Sequence, residues 1–254
     1  MSKNDLRQKS LNTREISEAA IAGVEGGVFY HDPVMLLQCL QGLRLEAGSD
    51  LNKVGEVLSR GTFADCTLGG GGHSYAIASR LTAEGCLHAF DRDEDAVAFA
   101  TKRMAGVLPR FVVHPVAFGK LGEEIAENQL DGVLYDLGIS SHQVDDSGRG
   151  FTFAGNEPLD LRMDRREEVS AQEWLRGVSA DDLAAALRKN ADMDRAFKLA
   201  GRLVEMAAKT AREDRDILPS DVKVAVDAVF PDKRREVSSL LARVFQAVRM
   251  EVNG

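Results

Sequence analysis

What this chain lacks narrows it first. Among its 254 residues there are three cysteines, Cys39, Cys66 and Cys86, and no two form a Cys-x-x-Cys pair. An odd, widely spaced set offers neither a zinc site nor a disulfide framework, and a reducing compartment is the simplest setting for it. No apolar run reaches the roughly 20 residues that span a bilayer. The N-terminus has no secretory h-region, and Asp5, Glu15 and Glu18 are out of place in an organellar transit peptide. Internal repeats and low-complexity tracts are absent. Also absent is an excess of positive charge: the formal net charge is -8, an awkward balance for a protein that touches nucleic acid. The basic residues that exist gather late in the chain, with about 14 against about 10 acidic ones between positions 186 and 249. Arg162, Arg165 and Arg166, then Arg188 and Lys189, then Lys233, Arg234 and Arg235 form local clusters. Runs of this kind are commonly solvated helix faces.

The composition, 44% hydrophobic, 28% charged and 6% aromatic, is that of an ordinary globular chain. The length suits one α/β domain with a modest addition. Residues 1–30 read as a polar extension, and a short helix is expected after Pro33. A strand–helix rhythm then occupies residues 31–140. Its expected strands are Thr62–Thr67, Cys86–Phe90, Phe111–His114 and Gly132–Tyr135. Helices are expected over Ser74–Leu81, through Ala96, Val97 and Ala100, and over Leu121–Glu127. Short apolar strands alternating with helices imply a parallel sheet covered on both faces. Near position 137 the rhythm breaks. Residues 138–165 form a long Gly-, Ser-, Asp- and Arg-rich segment of a kind that is usually functional or poorly ordered. Within residues 141–254, helices are then expected over Ala171–Arg176, Ala180–Lys189, Asp194–Thr210, Pro219–Val229 and Arg235–Val252. The spacing of Leu183, Leu187, Phe197, Leu199, Leu203 and Met206 makes this half all-α.

Two segments carry chemistry. Asp65-Cys66-Thr67-Leu68-Gly69-Gly70-Gly71-Gly72-His73-Ser74 joins the first strand to its helix. Consecutive glycines let the backbone approach a ligand where a Cβ would clash. Asp91 ends the second strand, at the distance usual for a carboxylate that grips ribose hydroxyls. The pair suits a dinucleotide or S-adenosylmethionine, although Ser74 stands where the dinucleotide pattern wants a third Gly or Ala. His73, taken alone, reads as a structural cap or as a base. The second segment, Asp136-Leu137-Gly138-Ile139-Ser140-Ser141, follows the fourth strand. There Asp136 would lie beyond the sheet's carboxyl edge, facing cofactor and substrate, as an amine acceptor or as a cofactor ligand. Further on, Arg149 and Arg162 could meet phosphates, and Phe151 or Phe153 could stack on an unpaired base. The same residues also read as a loop held by Asp–Arg pairs and two buried phenylalanines.

From His31-Asp32-Pro33-Val34 onward the chain resembles the RsmH/MraW methyltransferase family. Matching runs are Gly71-Gly72-His73-Ser74, Asp91-Arg92-Asp93, Asp131-Gly132-Val133-Leu134 and Asp136-Leu137-Gly138 with Ser140-Ser141. The match continues through Gln143-Val144-Asp145-Asp146, Arg149-Gly150-Phe151 and Pro158-Leu159-Asp160-Leu161-Arg162-Met163-Asp164. Ser170-Ala171, Glu173-Trp174-Leu175 and Phe245-Gln246-Ala247-Val248-Arg249 complete it. No single run is specific; their order is. Three departures stand out. Cys66 replaces a usual glycine, Asn190-Ala191-Asp192-Met193-Asp194 replaces a Tyr-Gly-Glu-Glu run, and Leu241-Ala242-Arg243-Val244 replaces a Thr-Arg-Thr run. Family members also continue beyond the position of Gly254 through further strands.

The resemblance implies a Rossmann-like methyltransferase core, truncated after the fourth strand, with an all-α inserted domain. It implies methylation of the N4 amine of a cytidine in small-subunit ribosomal RNA. It places S-adenosylmethionine on Gly71, Gly72, His73, Asp91, Phe118, Asp136 and Gln143, with Asp136 as the catalytic acceptor and no metal. RNA contacts are expected from Arg149, Phe151, Arg162 and Arg165. The alternative is a non-catalytic ribosome-assembly factor that keeps the fold and the small-subunit contact. In either case a second copy or an assembly partner could cover the fourth strand's edge. The expected compartment is the cytoplasm, or a mitochondrial or plastid matrix.

Overall fold

The computed structural model describes residues 33–45, 59–106, 109–139, 149–153 and 155–254. It divides into two compact units, Met1–Ser141 and His142–Gly254. The expected extension over 1–30, together with His31, Asp32, Ser140, Ser141, Gln143, Val144, Asp145 and Asp146, lies outside the described residues.

In the first unit the described elements are α1 (Leu36–Gly42), β1 (Thr62–Asp65), α2 (Gly72–Ala78), β2 (Cys86–Phe90), α3 (Glu94–Arg103) and β3 (Arg110–His114). A 3-10 turn (Phe118–Lys120), α4 (Leu121–Glu124) and β4 (Gly132–Leu134) follow. The four strands form a parallel sheet in the order β3-β2-β1-β4. The chain therefore runs outward from β1 to β3 and then crosses back to the other side of β1. The register aligns Phe63, Leu87 and Phe111 across three strands. Alternation sends these three to one face. There they meet Leu36 and Leu40 of α1 and Ala76 and Ile77 of α2. Ala64, Cys66 and Phe90 face the other way, onto Ile125, Leu121 and Val133. Asp93 caps α3 by accepting from Asp95 N at 3.1 Å, and the basic residues of that helix fall in its last turn.

The parallel sheet and its α/β class agree with the sequence, whereas several element ends differ. β1 stops at Asp65, because Cys66 gives one more ladder bond (its N–H to Leu134 O, 2.9 Å) before the chain turns away at Thr67. α2 begins two residues earlier than expected, with Gly71 taking a left-handed φ of 73° just before it. α4 ends at Glu124, since Ile125 is extended and Asn128 has φ 60°.

The helical unit contains α5 (Ala171–Gly177), α6 (Ala180–Ala191), α7 (Ala196–Arg212), α8 (Pro219–Val229) and α9 (Val237–Asn253), the last preceded by a 3-10 turn over Arg234–Glu236. Its helix starts are written in the sequence. Ser170 and Glu173 form a reciprocal capping box on α5, Ser179 caps α6, and Pro219 opens α8. Leu183, Leu187, Leu199, Leu203, Val226 and Phe230 are all fully buried in one core. Each such aliphatic side chain contributes about 1.5–3 kcal/mol by leaving water. Phe197 departs from the expected stripe: it is 61% exposed, because Leu199 and Leu203 set the inward face of α7 and position 197 lies off it. The two helical segments that depart from the family pattern meet in space. Arg243 donates to the carbonyls of Ala191 and Asp192, closing the C-terminus of α6, and Gln246 donates to Asn190 O at 3.1 Å.

On the sheet face opposite α1 and α2, two histidines form a hydrogen-bonded chain. His114 Nδ1 donates to Glu124 Oε2 at 2.9 Å, so its Nε2 is left to accept from His88 Nδ1, also at 2.9 Å. The ring of Phe90 stacks on His114 with centroids 4.4 Å apart. Burial, then His114, then Arg110 hold the His88 pKa below its ordinary 6.5. The unfolded chain therefore binds the extra proton first, and His88 makes stability fall as pH drops below about 6.5. Thermal unfolding of the native chain should show Tm declining over that interval, and His88→Gln should flatten the decline. An equal decline in the variant would remove His88 from the explanation.

Candidate cofactor and active site

Three carboxylates lie at the carboxyl ends of neighbouring strands: Asp65 on β1, Asp91 after β2 and Asp136 after β4. β1 and β4 flank the point where strand order reverses, which is where open parallel sheets bind ligands. The three acids differ in what holds them.

Asp65 is completely buried. Its Oδ2 accepts from Ser74 Oγ at 2.7 Å, and its Oδ1 accepts from Thr67 N at 3.0 Å and from the Thr67 hydroxyl at 3.4 Å. Burial pushes its pKa up, and these donors together with His73 pull it back. The carboxylate ties the start of the glycine loop to α2 beyond it. Asp91 Oδ2 accepts from Gly69 N at 2.8 Å and its Oδ1 from Asp93 N at 3.0 Å. Burial is the first cause of its raised pKa. Each oxygen uses one lone pair on the backbone and keeps another, and the residue is only half-buried. A ribose with two hydroxyls matches that remaining capacity.

The loop's glycines serve different ends. Gly69 has φ 47°, and a Cβ there would find nothing closer than 3.9 Å, so its side is open for a ligand to approach. A Cβ on Gly71 would sit 3.2 Å from the Ala100 Cβ, and one on Gly72 would lie 2.6 Å from Pro33 Cγ. Those two glycines admit α3 and the segment before α1, so they shape the cradle from behind. Arg103 adds a brace from α3, donating to Gly70 O at 2.9 Å.

Asp136 is half-exposed, and its backbone is held in place. Its backbone N–H donates to Thr67 Oγ1 at 2.8 Å. Its carboxylate faces the buried His73, whose Nδ1 stands 3.7 Å from Asp136 Oδ2. Beside it Tyr135 and Phe118, 46% and 41% exposed, meet edge to face with centroids 5.5 Å apart. An aromatic surface of this kind can take a purine base. The Cys66 thiol is pushed up to about 11, chiefly by burial, with the Tyr135 hydroxyl acting the other way. A neutral thiol is not a nucleophile, so the cysteine in place of the family's glycine is inert.

The structure thus gathers Gly71, Gly72, His73, Asp91, Phe118 and Asp136 in one unit, while Gln143 lies outside the described residues. Sequence reasoning passed over Asp65, Thr67 and Tyr135. Asp65 had a signal, a carboxylate closing an apolar strand directly before a glycine loop. Thr67 had none, since its partner Asp136 is 69 residues away.

The structure places the four expected RNA contacts in different surroundings. Arg149 is 2% exposed and Phe151 6%, and Phe151 belongs to the helical core, so neither presents a face to a base or a phosphate. Arg162 forms a fork with Asp160 (2.6 and 2.8 Å) and also donates to Glu167 O, which assigns it to the loop's own frame. Arg165 is exposed. Phe153 packs edge-on against Phe245.

A parallel sheet with a glycine loop after β1, a ribose-type acid after β2 and an acid beyond the switch point defines a Rossmann-like domain of the methyltransferase class. The sequence profile of the MraW methylase family matches residues 28–254, and the chain belongs to that family. It is similar to ribosomal RNA small subunit methyltransferase H of Clostridioides difficile strain 630, 34% identical over 229 residues, which is 89% of this chain and 68% of that protein. The protein of the same name from Methylococcus capsulatus is 37% identical over 197 residues, covering 76% of this chain and 64% of its own length. That of Oceanobacillus iheyensis is 34% identical over 231 residues, 89% and 66% respectively. The matches span about two thirds of the length of these relatives.

The Thr67 hydroxyl is the link between the two loops. Thr67→Val removes the acceptor while keeping the shape. The Asp136 amide should then lose its protection against hydrogen exchange, and Thr67→Ser should retain it. Unchanged protection in Thr67→Val would show that the bond does not hold the loop.

Proposed function

We propose that this chain methylates the N4 amine of a cytidine in small-subunit ribosomal RNA, using S-adenosylmethionine. The relatives' names support the class of RNA, and the site supports the chemistry. The observation that carries the reading is Asp136, a half-exposed carboxylate beyond the switch point, held through its backbone by Thr67 and facing His73.

S-adenosylmethionine supplies an electrophilic methyl group on a sulfonium. Asp91 would hold its ribose with the two lone pairs it keeps free, and Phe118 would lie against the adenine. Gly71 and Gly72 shape the loop behind it, and Gln143 joins by resemblance. The amine of cytosine is a weak nucleophile because its lone pair is delocalised into the ring. Asp136 accepts a hydrogen bond from that amine, localises the lone pair and takes the proton as the new N–C bond forms. Positioning supplies most of the rest. Among the four expected RNA contacts, Arg165 is the one whose exposure suits a phosphate.

A second reading, an assembly factor without transfer activity, draws on one feature of the sheet. Among the described residues β4 is an edge, and Leu137 just beyond it is 71% exposed. A partner or a second copy would cover such a surface. Binding to small-subunit particles with no methyl transferred from S-adenosylmethionine would select this reading.

Calorimetric titration tests the cofactor assignment. The chain should bind S-adenosylmethionine, and Asp91→Ala should weaken binding by on the order of 2 kcal/mol by removing ribose hydrogen bonds. Absence of binding by the native chain would reject the enzyme reading, and equal affinity in the variant would reject Asp91 as the ribose ligand. Asp136→Ala should suppress transfer of a radiolabelled methyl to small-subunit RNA. Turnover at the native rate would show that Asp136 is not the amine acceptor.

A further inference from the structure

His73 is buried, and its two ring nitrogens have different surroundings. Nε2 lies 3.1 Å from the Val34 carbonyl oxygen. A carbonyl only accepts, so Nε2 carries the hydrogen. In the neutral ring Nδ1 is then a bare lone pair, and it faces Asp136 Oδ2 across 3.7 Å. That separation is longer than a hydrogen bond. Two acceptors confronting each other attract only once a proton arrives between them.

We propose that His73 is the proton reservoir behind Asp136: the Val34 carbonyl fixes its tautomer so that Nδ1 receives the proton that Asp136 takes from the substrate amine. This rests on the methyl transfer proposed above. In that step the amine lone pair forms the new N–C bond. The electron pair of the breaking C–S bond stays on sulfur, which becomes a neutral thioether. The amine nitrogen, now positively charged, loses one hydrogen as a proton to the Asp136 carboxylate. Asp136 closes on Nδ1 and hands the proton over, leaving an imidazolium beside a regenerated carboxylate. The proton returns to solvent through the exposed side of Asp136, and no oxidant or further reactant is needed.

The groups around the pair suit this role. Burial raises the pKa of Asp65, at the end of β1, and His73 is among the groups that pull it back. The Cys39 thiol of α1 is pushed up by burial and then by Asp136 and Asp65, and it stays neutral. His73 acts through Asp136, so it is a positioning and proton-holding residue, and it need not touch the substrate.

Nitrogen-15 NMR of the His73 ring in the full chain, without cofactor, tests the assignment directly. The neutral ring should be the Nε2–H tautomer, with Nδ1 the unprotonated nitrogen facing Asp136. An Nδ1–H tautomer would overturn the proposal. In the transfer assay, His73→Gln keeps a donor for Val34 and loses the base. Its rate should fall about tenfold or more at neutral pH and lose the native pH plateau. A native rate and profile in His73→Gln would also overturn it. If the native chain transfers no methyl group, the functional reading fails, and the NMR result still decides the tautomer.

Discussion

The site depends on one buried anion. Asp65 has no exposed surface, and its two oxygens are occupied by Ser74 from the far end of the glycine loop and by Thr67 from the near end. Taking a carboxylate out of water is expensive, and hydrogen bonds from the chain offset the loss only when they are well placed. That requirement fixes the loop's path. It also fixes where the Thr67 hydroxyl points, and through it the backbone of Asp136 on the far side of the strand-order reversal. The glycine loop and the loop that carries Asp136 are therefore set by the same charge.

Much of the first unit was legible from the sequence because each strand's apolar run and the residues that bound it are local. Cys86–Phe90 is a strand in the structure as it is in the sequence, since an apolar run bounded by Gly85 and Asp91 has few alternatives. Element ends were less legible. The end of β1 is decided by a ladder bond to Leu134, nearly 70 positions away, and the early start of α2 by the left-handed turn at Gly71. The position of Asp91 at the carboxyl end of a strand could be read. The tautomer of His73 could not, because Val34 selects it from 39 residues away.

The second unit shows the opposite balance. Its helix starts at Ser170, Ser179 and Pro219 follow from capping chemistry. Its arginine-rich loop invites a nucleic-acid reading that burial removes for Arg149 and Phe151 and that the Asp160 fork redirects for Arg162. A charged side chain in a list of residues carries no mark of whether it meets solvent or a neighbour. The segments around Asp192 and Arg243 look like two independent departures from the family, yet they form one contact that closes α6.

The central proposal is that this domain aims a methyl donor at a cytidine amine whose proton Asp136 accepts. Its most direct test is mass spectrometry of small-subunit ribosomal RNA from cells with and without the gene. The account predicts that one N4-methylated cytidine loses its methyl group when the gene is removed and regains it when the intact gene is restored. An identical methylation pattern in both cell lines would contradict it.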